Sequence, residues 1–291
     1  MSTEVTSAAL GRDRTGGHGR IVANIPKHVA LILACLLVIV PVYFVLTTSL
    51  KTADDYASNK FGLPTQLFLG NVLTALRSGR FFLWFANSVI LSFGSVIVST
   101  VVSALAAFAF ARMRFKFNRP LLSVITSLMV IPPVVMIIPI FVMLSSLKLT
   151  STYPGAILIY AGIITPFSIY LLTNFFKSIP HEVIESALID GASPLGILTR
   201  IVLPLSGPVL VTLIVVNALW IWNDLLVALV LLPKEDLRTL MVGITVFGSR
   251  YNRDVPVAMT GMLLASLPMF ALYLFGQRYF IRGLLAGALK G

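Results

Sequence analysis

Charge is scarce in this chain, and histidine and cysteine are scarcer still. Only 11% of the 291 residues are charged and three are histidine, whereas a soluble globular domain carries about 25% charged residues. A water-facing fold of ordinary composition is excluded. The one cysteine, Cys35, lies in an apolar run. No intrachain disulfide can form, and the expected role of Cys35 is that of a small apolar packing residue. No His/Cys cluster offers metal-ligand spacing, and neither H-E-x-x-H nor G-x-S-x-G occurs. His18, His28 and His181 fall near or beyond the ends of apolar runs, where solvated or capping roles are expected. Also missing is any G-x4-G-K-[ST] run, so the chain carries no P-loop of its own.

What is abundant is apolar surface, at 57% of residues. A hydrocarbon core about 30 Å thick needs about 20 helical residues to cross it. Six stretches qualify, at about 28–48, 81–110, 121–144, 153–175, 208–232 and 256–280. The expected fold is an all-α polytopic membrane protein with six transmembrane helices. The first stretch is too long for a signal-peptide core and lacks a small-residue cleavage pattern, so it is expected to remain in the mature protein. Residues 1–27 read as a polar segment with too little apolar surface to fold alone. Residues 28–281 form the membrane domain, and 282–291 a tail.

The basic residues orient the spans. With the N-terminus in the cytoplasm, thirteen Lys and Arg lie inside and nine outside. The short segment from Arg112 to Arg119 holds four cations and no acid, and short loops are where the positive-inside rule is strongest. Both termini are therefore expected to be cytoplasmic. The net charge of +11 is mostly this topology signal, and no nucleic-acid partner is expected.

Ser88, Ser92, Ser95, Ser99 and Ser103 recur at helical spacing along the second stretch. Small hydroxyls on one face allow close backbone approach and interhelical hydrogen bonds; a polar wall on a transport path is the other reading. Prolines interrupt later spans: Pro132, Pro133, Pro139, Pro166, Pro208 and Pro268. That many kinks suit a cavity-forming, moving bundle better than a passive anchor. The one acid inside a span is Asp224, and Asn217, Trp220 and Asp224 are spaced to share a helical face, with Asn223 adjacent. An intramembrane acid is a functional-site candidate. Indole, amide and carboxylate together suit a sugar, whose ring has apolar faces and polar edges, and the acid argues for a neutral one. A structural Asp bonded to a neighbouring helix is the alternative.

The longest inside loop, about 178–204, has the pattern of a built element. Ser178 is expected to cap a helix whose first turn holds Pro180 and Glu182. Val183, Ile184, Ala187 and Leu188 give that helix an apolar face. Gly191 offers the left-handed residue that ends it; Ser193-Pro194 starts a second helix, and Pro204 breaks it. The expected product is a helical elbow projecting from the membrane with an apolar face that needs a partner.

The run Glu185-Ser186-Ala187-Leu188-Ile189-Asp190-Gly191, followed by Ile201-Val202-Leu203-Pro204, closely resembles the EAA loop of ABC-importer permeases, E-A-A-x3-G-x9-I-x-L-P. Ser186 for the first alanine is the only departure. Ala107–Arg112, Ile131-Pro132-Pro133, Trp222-Asn223-Asp224 and the ending from Gln277 to Gly291 extend the resemblance to carbohydrate importers of the MalG-like branch. The resemblance implies a prokaryotic inner-membrane subunit that forms half of a pore with a second permease subunit. It also implies two ATP-binding subunits that use ATP and Mg, and an extracytoplasmic substrate-binding protein. On the same basis Glu185 through Gly191, with Ile201, Leu203 and Pro204, dock on the ATPase, and a tail carrying Gly283, Gly287 and Gly291 reaches between the ATPases. The loops at 49–80 and 233–255 are candidate docking surfaces for the binding protein. An importer for glycerol phosphate, a polyol or an acidic oligosaccharide is the runner-up. A secondary transporter working without ATPases would leave the elbow and the C-terminal tail without a purpose, and a membrane-embedded enzyme would lack paired intramembrane catalytic groups.

Overall fold

The computed structural model describes the backbone of residues 16–77, 80–250 and 254–288, and within these every regular element is helical. In chain order they are α1 (Gly16–Ser49), α2 (Ala53–Ser58), α3 (Gly70–Arg77), α4 (Phe81–Arg112), α5 (Asn118–Ser127), α6 (Pro133–Ser146) and α7 (Tyr153–Ser178). There follow α8 (His181–Ile189), α9 (Pro194–Ile197), α10 (Leu203–Leu205), α11 (Gly207–Asn223), α12 (Leu226–Leu231), α13 (Leu240–Arg250) and α14 (Val255–Ala288). Four helical segments are long and apolar enough to cross a bilayer: Lys27–Ser49, Phe81–Arg112, Tyr153–Ser178 and Val255–Gln277. Two bent pairs bring the number to six if each is one span: Asn118–Val130 with Pro133–Ser146, at 102°, and Pro194–Leu205 with Gly207–Asn223, at 80°.

Both bends have local causes. At the first, Ile131 is extended (ψ 115°) and Pro132 follows suit (ψ 132°), because a residue before proline is pushed out of the α region. The expected span 121–144 is thus a broken one. At the second, the helix loosens to π winding over Leu198–Val202 before Pro204 enters the first turn of α10. The wider turn accommodates a residue that cannot donate a backbone hydrogen bond. The break itself falls at Ser206, ahead of Gly207 and Pro208 in the first turn of α11, where proline is tolerated because its missing N–H would be unpaired in any case.

The expected span 208–232 is also corrected. Its helix α11 ends at Asn223, where Asp224 turns extended (ψ 131°) and α12 begins separately. Asp224 Oδ2 accepts from the Ala228 N–H at 3.0 Å. The side chain that ends one helix thus satisfies a free donor in the first turn of the next.

The core forms where α4 and α7 lie against each other along most of their length. All five serines of the α4 stripe are buried, and Ser88 Oγ accepts from the Leu240 N–H at the start of α13 at 2.8 Å. Ser99 Oγ lies 3.0 Å from Thr165 Oγ1 and donates to Ser168 Oγ at 3.4 Å, while Ser103 Oγ donates to the Thr165 carbonyl at 3.5 Å. Ser92 and Ser95 hydroxyls have no partner among the described residues, so smallness is what those two positions supply. Helix packing, of the two readings, accounts for the stripe. Pro166 interrupts the ladder of α7, and the Thr165 and Ser168 hydroxyls donate to the Ala161 and Ile164 carbonyls beside it.

α1 has the opposite character. Every side chain from Lys27 to Tyr43 is exposed, Cys35 among them. Cys35 is therefore not a packing residue within this chain. The Ser49 end of α1 is tied down, with Thr47, Thr48 and Ser49 buried and the Thr260 hydroxyl of α14 donating to the Ser49 carbonyl.

Candidate coupling elbow and translocation cavity

The elbow starts where Arg112, the last residue of α4, reaches across to the end of α7. Its Nη2 donates to the Phe176 and Ile179 carbonyls at 2.5 and 2.6 Å. Phe176 lies in the last turn of α7 and Ile179 is its C-cap, where carbonyls lack the usual i+4 donor; the Phe176 carbonyl also accepts from the Ile179 N–H at 3.3 Å. In the sequence Arg112 was legible as a loop cation and as the end of the Ala107–Arg112 motif, but not as the side chain that ties the end of α4 to the end of α7 just before the elbow. Ser178 is not the expected cap, because its hydroxyl donates back to Phe175 and Pro180 occupies the N-cap of α8. The helix instead gains an exposed pair between His181 Nδ1 and Glu185 Oε1 at 3.1 Å.

Gly191 closes α8 as its sequence position implies. Its φ is +78°, its N–H bonds the Leu188 carbonyl at 3.0 Å, and the Ala192 N–H bonds the Ala187 carbonyl at 2.9 Å. This pair of bonds is the Schellman arrangement, which needs a left-handed residue at the glycine position. Ser193 then caps α9, accepting from the Gly196 N–H at 3.2 Å. The apolar face of α8 is divided. Ile184 and Ala187 are buried with Ala107, Phe108, Phe176, Ile197 and Val202, while Val183, Leu188 and Ile189 point away, Ile189 86% exposed. Glu185, Ser186, Asp190 and Pro204 are exposed, with Ile201 and Leu203 half-buried. One side locks the elbow to the bundle and the other is left free.

The substrate-path candidates do not all meet. Asn217 is buried and donates to Ser168 Oγ at 2.9 Å, facing α7. Trp220, Asn223 and Asp224 instead line a cavity of about 690 Å³ with Val216, Leu219 and Tyr273. The shared face expected for Asn217, Trp220 and Asp224 fails because Asp224 leaves the helix. Trp220 is also offset by about 60° from Asn217 at 3.6 residues per turn. The Tyr160 hydroxyl donates to Asp224 Oδ2 at 2.7 Å, and its ring meets Trp220 edge-on at 6.3 Å. Asp224 is thus both structurally bonded and at the cavity wall, so the two readings of it coexist. Tyr160 and Tyr273 were missed; a tyrosine in another apolar span is the donor that an intramembrane carboxylate requires. No group of three or more metal-ligating side chains occurs among the described residues.

Gly283 and Gly287 lie in the helical continuation of α14, and Gly291 lies outside the described residues.

Residues 99–285, which include the whole elbow and the cavity-lining part of α11, match the model of the binding-protein-dependent transport system inner membrane component. The chain belongs to that family. This inner-membrane transport component is 42% identical over 253 residues to a putative ABC transporter permease protein, ORF2, of Caldicellulosiruptor sp. (strain Rt8B.4), with 87% of this chain and 92% of the relative covered. It is 34% identical over 263 residues to the melibiose/raffinose/stachyose import permease protein MelC of Bacillus subtilis (strain 168), covering 90% and 95%. Its fold is similar to a chain in the crystal structure of a bacterial ABC transporter involved in the import of the acidic polysaccharide alginate. The TM-score there is 0.79 at 23% identity, over 96% of this chain and 100% of the other.

Proposed function

We propose that this transport component is one of two permease halves of an ATP-driven importer for a neutral di- or oligosaccharide, set in a prokaryotic inner membrane with both termini cytoplasmic. A second permease subunit completes the pore. Two ATP-binding subunits use ATP and Mg, and an extracytoplasmic binding protein delivers the sugar. The elbow carries this reading: a rigid helix, anchored by Arg112 at one end and closed by Gly191 at the other, that leaves Val183, Leu188 and Ile189 uncovered. A lever of this kind transmits a difference between two states of a bound ATPase to the bundle. Glu185, Ser186, Ala187, Asp190, Gly191, Ile201, Leu203 and Pro204 form its docking segment, and Gly283, Gly287 and Gly291 belong to a second contact with the ATPases.

The names of relatives support a sugar: melibiose, raffinose and stachyose for MelC, and starch degradation products for AmyC of Thermoanaerobacterium thermosulfurigenes. The cavity adds an indole face, a phenol, an amide and a carboxylate, with no Lys or Arg among its lining residues. That set binds hydroxyls and disfavours an anion, which speaks against a glycerol phosphate or an acidic oligosaccharide. The solved structure of an alginate importer with an alginate pentasaccharide-bound periplasmic protein is an assembly of the proposed kind.

The experiment is affinity purification of the chain from native membranes, with mass spectrometry of what copurifies, followed by uptake assays. A P-loop ATPase and a second permease are expected in the eluate. Gly191→Pro, which forbids φ +78°, and Glu185→Lys should each abolish uptake while the protein still inserts. Normal uptake in both variants, or purification of this chain alone as an ATP-independent transporter, would overturn the assignment.

A further inference from the structure

Beside α1 the segment between α2 and α3 exposes an unusual amount of apolar surface for a polar-bonded loop. Phe61 is 77% exposed, Leu63 68%, Leu67 78% and Leu69 67%. Between Asn59 and Leu69 stand one cation, Lys60, and no acid. The backbone under these side chains is held from within. Lys51, fully buried, donates its Nζ to the Asn59 and Lys60 carbonyls at 2.5 and 3.3 Å. The Asn59 side chain bridges the Gly62 N–H and the Leu63 carbonyl, and Asp55 Oδ2 accepts from the Thr65 N–H. The Phe68 N–H bonds the Leu50 carbonyl, and the buried Asn71 amide binds the Ser49 and Lys51 carbonyls. A loop free to rearrange would hide its leucines; this one is braced to present them.

Its depth identifies the partner. The Tyr43 hydroxyl donates to the Phe61 carbonyl at 3.2 Å, and the Phe44 and Phe61 rings lie 5.8 Å apart. Tyr43 and Phe44 stand five to six residues before the end of α1 at Ser49, about 8 Å along its axis at 1.5 Å per residue. The loop therefore folds back alongside the final turns of a membrane-crossing helix, at the level where aromatic side chains of spans concentrate. We propose that the Lys60–Leu69 loop lies in the headgroup–acyl boundary of the bilayer at the Ser49 end of α1, with Phe61, Leu63, Leu67 and Leu69 inserted among lipid chains and Lys60 beside phosphate. Irregular backbone is excluded from the hydrocarbon itself, and the internal bonds from Lys51, Asn59 and Asp55 make the boundary tolerable. The part of the outside loop considered above as a binding-protein dock is, on this account, a lipid anchor.

The test places a photoreactive p-benzoylphenylalanine at Phe61 or at Leu67 of the full chain in intact cells, with irradiation and mass spectrometry of the purified protein. Leu37, Val38 and Ile39, on successive exposed faces of α1, report what surrounds that helix in the assembled protein, and exposed Ser58 provides a water reference. The expected result at both loop positions is a mass increase of one phospholipid, absent at Ser58. Crosslinks to a protein partner, or no phospholipid adduct at Phe61 and Leu67, would overturn the proposal. Both readouts are independent of whether the cargo is a sugar.

Discussion

α1 and the α4–α7 pair are all long, apolar helices with one or two charges each, yet they pack in opposite ways within this chain. From Lys27 to Tyr43 α1 buries no side chain in this chain, whereas α4 buries its entire serine stripe, with Ser99 and Ser103 bonded to α7. In lipid an aliphatic side chain gains little by leaving acyl chains for another helix, so apolar character alone does not create an interface. Small residues and hydroxyls do, because they let backbones approach and give polar groups a partner. Among the four unbroken spans, the most hydrophobic is thus the least packed within this chain, the reverse of a soluble core.

The largest break in this contrast is expected at Ser99. Ser99→Leu forces a large side chain between α4 and α7 where nothing is exposed, and overpacking of that kind costs about 3 kcal/mol. Ser99→Ala keeps the close approach and removes only the bonds to Thr165 and Ser168, so about 0.6 kcal/mol is expected. Thermal unfolding of the detergent-purified protein separates the two. Equal effects would mean that hydrogen bonding, not size, holds the pair together.

A smaller loss is expected for Tyr160→Phe, which takes from Asp224 its 2.7 Å phenolic donor and leaves the Ala228 N–H. About 2 kcal/mol of stability should be lost, the range for a hydrogen bond to a charged group. Uptake by the reconstituted importer should fall with it, since the carboxylate at the cavity wall loses its orientation. Unchanged stability and uptake would remove Asp224 from the cavity's architecture. The least effect belongs to α1: Leu37→Ala, 77% exposed, should shift detergent stability by less than about 0.5 kcal/mol. A loss near that of Ser99→Leu would show that α1 packs on its own chain after all.

The elbow and the cavity differ in how far they could be read from residues alone. Gly191, Ser193-Pro194 and the apolar face of α8 follow local rules: a left-handed terminator, a cap, a helical period. All three occur in the structure. Ser178 was misassigned because a proline two residues on already separated the helices, leaving Pro180 at the N-cap. Arg112 was hidden because the carbonyls it binds lie more than sixty residues away. Asn217 was grouped with Trp220 and Asp224 by extending helical periodicity past Asn223, where the chain in fact turns.

By itself the sequence determined the membrane class, the positions of the apolar segments, the hydroxyl stripe and the elbow with its terminating glycine. Each of these depends on composition or on residues within a few helical turns of one another. Only the tertiary structure decided that Asp224 is shared between Tyr160 and the start of α12, that Arg112 holds the end of α7, and that the loop beside α1 turns its leucines outward. These depend on partners far apart in the chain: Tyr160 with Asp224, Arg112 with Phe176, Tyr43 with Phe61. Periodicity can say which face of a helix is special, but which neighbour meets that face is decided by three-dimensional packing.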